Sequence, residues 1–237
     1  MHHYARNILS AAVFVVLAVV LCSEVSAQKR RAANGRVAVV VDERLAALRD
    51  APDFGANLLQ RMSRGRTVSV LGARKGAGGV VFYRVGVTRR TSGWVQSEAL
   101  VRASGAGEDA RLLRLVKASE GFDRVERAAL FLETFPRSPL RPAVLFALGE
   151  AAEAEAATLT RNAARRLDAR EMEAGGAPLH TYFMNFNGLD RYARQGVRFV
   201  FDAPSKQFRY DGAAWREILR RHPHSPEAAE ARKRLKK

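Results

Sequence analysis

Between Arg36 and Arg102 the apolar residues fall into short runs of period two, and this pattern limits the possible folds more than any other feature. Val37, Val39 and Val41 occupy every second position, and β-branched residues of this kind suit a pleated, half-buried surface. Thr67 to Leu71 repeats the habit with Val68 and Val70 on one face, and Val80 to Val87 and Trp94 to Gln96 follow. Breaks fall at Gly76 to Gly79 and at Thr91-Ser92-Gly93. Four or five strands within about 65 residues predict a small all-β barrel over 36–102, because closure removes the unpaired edges of an open sheet.

After Ser104-Gly105-Ala106-Gly107 the period becomes helical, which places a linker at 103–110 and a mostly α-helical domain over 111–237. Leu112, Leu113, Leu115 and Val116 lead into Val125, Ala128, Ala129, Leu132 and Phe135, spaced at three and four as one buried stripe requires. A second helical stretch, rich in Ala, Glu and Arg, is predicted from about Leu140 to Glu173. Near 197–210, Val197, Phe199 and Phe201 alternate before Asp202-Ala203-Pro204-Ser205, and Phe208 and Tyr210 alternate after it, which predicts an inserted β-hairpin. The fold class expected is therefore α+β and multidomain.

Ahead of the strands, Arg6 precedes an uncharged run from Ile8 to Leu21 and a polar segment ending at Val25-Ser26-Ala27. This is the three-part layout of a secretory signal over 1–27, with cleavage expected after Ala27. The run of 14 residues is shorter than the roughly 20 needed to span a bilayer. No transmembrane helix is expected in the mature chain. Val19-Val20-Leu21-Cys22 matches a lipoprotein box only in part, since Leu21 is large where that pattern has a small residue. Cleavage at Ala27 removes Cys22, the only cysteine, and leaves neither a disulfide nor a thiolate site.

The formal charge of +16 predicts attraction to polyanions, such as anionic wall polymers or lipid headgroups, and export disfavours a specific nucleic-acid partner. The 33 arginines and 7 lysines are scattered through every predicted element.

The order of local motifs in the strand-rich region resembles bacterial SH3-like domains. Leu48-Arg49-Asp50-Ala51-Pro52 is similar to the family's first turn, Arg64-Gly65 to the step before the central strand, Phe82-Tyr83-Arg84-Val85 to a central strand, and Gly93-Trp94-Val95 to the closing strand. The chain departs from the family at Ala47 and at Ala51, where Asn and Gly are usual; Ala51 requires a turn that avoids left-handed backbone. The resemblance implies recognition of a cell-wall component or a protein through loops and aromatics on one side of the barrel. Tyr83 and Trp94 are the ligand-binding candidates.

In the helical half, Phe135-Pro136-Arg137-Ser138-Pro139 and His222-Pro223-His224-Ser225-Pro226 are echoes of one another, each between two helical patterns. Proline ends the first helix, serine caps the next, and the second proline is expected at the first helical position. With Trp215, Ile218, Leu219 and the following alanines, the second copy resembles the turn of tetratricopeptide-like repeats in exported envelope proteins. The copies lie 87 residues apart, too far for one repeat of about 34.

No catalytic constellation is visible: there is no His-Glu-x-x-His, no Gly-x-Ser-x-Gly and no mature cysteine. His180, His222 and His224 form no metal-ligand pattern, and Asp190 with Asp202 reads as surface charge rather than a glycosidase pair. The sequence thus points to a periplasmic or envelope-associated binding protein without enzymatic activity or cofactor, whose partner is a wall component or an envelope protein. Two rival readings are a regulatory subunit or enzyme of cell-wall metabolism, and a purely electrostatic polyanion binder.

Overall fold

The computed structural model describes residues 37–236. The expected signal segment, with Ala27 and Cys22, lies outside the described residues. The chain divides into two compact units at Gly105/Ala106, inside the predicted linker.

The first unit holds seven strands: β1 (Val37–Val40), β2 (Ala47–Arg49), β3 (Leu58–Arg61), β4 (Thr67–Lys75), β5 (Val81–Gly86), β6 (Ser92–Gln96) and β7 (Leu100–Arg102). They make one antiparallel sheet in the order β3-β2-β6-β5-β4-β1-β7, with β3 and β7 at its edges. The mixed α/β content and the strand-then-helix order agree with the predicted class, whereas the expected closed ladder is not among the pairings. The sheet nevertheless curls. The Arg102 guanidinium of β7 lies 5.6 Å from the Tyr83 ring of β5, although β4 and β1 stand between them. Three strand spacings would be about 14 Å in a flat sheet. A bulge between Val70 and Gly72 leaves Leu71 out of register and sharpens the twist. Inside the curl, Ala38, Val40, Leu48, Val68, Val85, Val95 and Leu100 form one core.

Of the two predicted breaks, Gly76 to Gly79 is a turn between β4 and β5, while most of the second proved to be strand. Ser92 and Gly93 belong to β6, because a Cβ at Gly93 would stand 2.6 Å from the Arg49 carbonyl oxygen, so close passage of β2 requires glycine. Gly72 to Lys75 extends β4, and only the tip, where the Gly76 amide donates to the Val80 carbonyl at 2.8 Å, is a turn. Ala51 avoids left-handed backbone, since Lys206 is the sole non-glycine with positive φ among the described residues. Asp50 secures that loop instead, accepting from the Asn57 amide and side chain at 3.0 and 2.8 Å.

The second unit contains α1 (Glu108–Lys117), α2 (Gly121–Thr134), α3 (Arg141–Arg166), α4 (Ala169–Gly175), α5 (Leu179–Met184), α6 (Asp190–Ala193), the hairpin β8 (Phe199–Asp202) and β9 (Gln207–Tyr210), then α7 (Ala213–Arg221) and α8 (Ala228–Arg234). The predicted 140–173 helix is broken: Asp168 accepts from the Arg170 and Glu171 amides and starts a new one. The hairpin stands where the alternation placed it. Helix α3, about 39 Å long at 1.5 Å per residue, is the spine against which α2, α7 and β9 pack. Trp215 of α7 lies flush on Gly149 of α3, edge-on to Phe146 at 5.3 Å, and its indole N–H donates to Glu153 at 3.0 Å.

The two echoed turns are alike bond for bond. Phe135 N–H donates to Phe131 and Ser138 N–H to Phe135, at 2.8 and 3.2 Å; His222 N–H donates to Ile218 and Ser225 N–H to His222, at 2.8 and 3.0 Å. The caps and prolines differ from expectation: Leu140 and Glu227, not the serines, stand at the N-caps of α3 and α8, without a side-chain cap bond. Pro139 and Pro226 sit two residues before the helices begin, in the turn, and Pro142 is the proline inside the first turn of α3.

Candidate functional site

Strand register decides which side chains share a face. Tyr83 pairs with Val95 across β5 and β6, while Arg84 pairs with Trp94, so Tyr83 and Trp94 point to opposite faces of the sheet. Tyr83 packs against the core with Arg102 over its ring. Trp94 is only partly buried and lies on the outer face. The two candidates therefore do not line one groove.

What surrounds Trp94 is a row of cross-strand neighbours. Arg49 of β2 pairs with it on one side and Arg84 of β5 on the other, and the next position, on β4, is Gly72. Arg74, two residues further along β4, sets its guanidinium 6.0 Å from the indole centroid. Arg49 is anchored, donating to the Ala56 carbonyl at 2.6 Å, whereas Arg84 is exposed and has no side-chain partner among the described residues. Three like charges thus surround one aromatic plane. The carboxylates of the adjoining loop bond within that loop instead: Asp50 accepts from Asn57, and Asp53 from the Gly55 amide at 2.7 Å.

Beside this row the same face carries Phe82, diagonal to Trp94, which is 2 % exposed because Phe54 packs edge-on against it at 5.3 Å. Phe54 itself is 52 % exposed. A Cβ at Gly76 would meet the Pro52 carbonyl at 2.6 Å and the Phe82 ring at 2.9 Å, so glycine there lets the hairpin tip close on this loop. The surface is a platform of Trp94 and Phe54 over Phe82, ringed by Arg49, Arg74 and Arg84. Sequence reading found Trp94 alone; the arginines were hidden by their abundance, and Phe54 by its place in a loop with no strand period.

In the helical unit the aromatic-rich segment is mostly core. Phe183, Phe186, Tyr192, Phe199 and Phe208 are buried, and Phe183 stacks on Phe201 at 4.2 Å. Tyr192 donates its hydroxyl to the buried carboxylate of Glu155 and accepts from Arg191 at 2.7 Å, tying α6 to α3. Burial, reinforced by the hydrogen bond to Glu155, raises the Tyr192 phenol well above its ordinary range, so it stays protonated. Asp202 accepts from the Ser205 hydroxyl and amide, which lowers its pKa and keeps it ionised. Among the described residues no three His, Asp or Glu side chains gather as a metal site, and no helix is long and apolar enough to cross a membrane.

Compared with known proteins, the chain matches no family model, no curated protein and no solved structure.

Proposed function

We propose that the chain is an exported, non-enzymatic binding protein of the cell envelope, with an SH3-like first unit that grips a wall component or protein ligand on its Trp94 face. The tetratricopeptide-like second unit offers a docking frame to a protein partner. The observation that carries this reading is the partly exposed Trp94 set among Arg49, Arg74 and Arg84 on the face opposite the core. An aromatic plane beside guanidinium groups that make no ion pair among the described residues favours a flat or polar ligand with acidic groups. Support for the SH3-like assignment comes from the β4-β5-β6 meander, the pairing of first strand with last, and the curl that brings Arg102 to Tyr83. The matched turns around Ser138 and Ser225 favour the repeat-like reading of the helices.

The test is a pull-down by the mature chain with isolated cell walls and with envelope extract, repeated with Trp94→Ala across a salt series. Groove recognition predicts that Trp94→Ala abolishes retention while circular dichroism and thermal unfolding stay near wild type, since this indole is outside the core. Retention that ignores Trp94→Ala and falls steeply with salt would instead select the electrostatic polyanion binder.

A further inference from the structure

The second unit has a cleft of about 470 Å³ between the C-terminal half of α3 and the segment 186–194, and its lining includes Arg166, Arg191 and Arg194. That volume suits a small ligand. The three arginines of the lining come from two different elements, Arg166 from α3 and Arg191 and Arg194 from α6 and its C-terminal cap.

Their circumstances differ in an informative way. Arg191 is fixed: it lies 4.8 Å from the Phe122 ring centroid and 4.7 Å from that of Tyr192, donates to the Tyr192 hydroxyl at 2.7 Å, and stands 3.8 Å from Glu155. Its charge is largely answered by Glu155. Arg166 and Arg194 have no side-chain hydrogen bond or ion pair among the described residues. Elsewhere in this unit many arginines are paired, as Arg141 is with Glu217 at 2.8 Å and Arg111 with Glu108 at 2.9 Å. One carboxylate, Asp190, shares the lining and makes no ion pair among the described residues. Asn162 spends its side-chain oxygen on Arg165, which leaves its amide N–H groups to face a ligand. Below these groups lie the apolar Leu159 and Phe186.

We propose that this cleft binds a phosphate-type oxyanion, either free or carried on a small molecule or a lipid headgroup. Guanidinium forks match a tetrahedral oxyanion, and a lining with three arginines against the single carboxylate of Asp190 favours an anionic ligand. Arg191, held by Tyr192 and Glu155, gives that wall of the cleft a fixed positive edge. This site lies in the helical unit and does not depend on the Trp94 reading.

The experiment titrates the mature chain with inorganic phosphate by calorimetry, and with phosphatidic acid vesicles against phosphatidylcholine vesicles by flotation. The variants are R166Q/R194Q and, as a charge-matched control, R170Q/R220Q at exposed positions outside the lining. The expected result is saturable one-to-one binding that weakens by about tenfold or more in R166Q/R194Q, as loss of two charge-assisted contacts implies, and changes little in the control. Unchanged thermal unfolding shows that both variants are folded. Dependence on Arg166 and Arg194 with vesicles but not with free phosphate assigns the oxyanion to a headgroup. Equal weakening in both double variants, or no difference from wild type with either probe, overturns the proposal.

Discussion

Gly149 owes its place to Trp215. A Cβ at this position would stand 2.3 Å from the indole, well inside any real contact distance, and the contact is with a ring held by Phe146 and Glu153. Gly149→Ala should therefore destabilise the helical unit by about 1–3 kcal/mol, as overpacking does, read from denaturant unfolding. Gly72→Ala, with nothing within 4 Å of its Cβ, should move stability little. Tyr192→Phe tests the Glu155 lock. It leaves a buried carboxylate without its phenol donor, and a loss of about 1–3 kcal/mol is expected. Tyr210 adds a pH dependence: burial above all pushes its phenol up to about 12, against a smaller opposing effect of the hydrogen bond from the Ala214 amide. A group whose native pKa is raised stabilises fully below its unfolded value and loses that contribution as pH climbs through the native one. Stability should then fall between about pH 10, the unfolded phenol value, and about 12, with phenolate absorbance lagging behind that of free tyrosine.

At the level of elements, the echoed turns share backbone geometry but not energetics. The Ser138 hydroxyl accepts from the Leu140 amide at 3.1 Å and donates to Asp109 of α1 at 2.7 Å, whereas the Ser225 hydroxyl is buried without a hydrogen-bond partner among the described residues. Ser138→Ala should cost about 1 kcal/mol through the hydrogen bonds it loses, and Ser225→Ala should be neutral or slightly stabilising in the same unfolding assay. The sequence motif foretold both turns because proline acts locally on the backbone, whatever the serine hydroxyl does. The hairpin at 199–210 and the strands β1, β4, β5 and β6 were legible for a related reason, their period of two. Strands β2 and β3 were not, being three or four residues long and separated from their pairing instructions, which come from Trp94 and the Asp50–Asn57 bonds. The partition of Tyr83 and Trp94 onto opposite faces was implicit in their odd-even positions, yet it became visible only once β5 and β6 had a register.

Across the whole molecule the positive charge is spread over both units, with ten Arg and one Lys against five carboxylates in 37–105. The boundary at Gly105/Ala106 falls in a run of turns with mostly exposed residues, next to Arg102. Brief trypsin treatment should cut near this point and release two fragments that each keep a cooperative thermal transition, as units with separate cores would; a single co-operative loss of both would count against it. The outer strand β3 has a further consequence. Leu58 and Leu59 are each 49 % exposed on a strand whose far side is unpaired in the sheet. Only its brevity, Arg61 at its end and the mutual repulsion of like-charged copies guard it against pairing with a neighbour. Concentrated stocks kept in high salt, where that repulsion is screened, are where this protein should begin to aggregate, edge to edge.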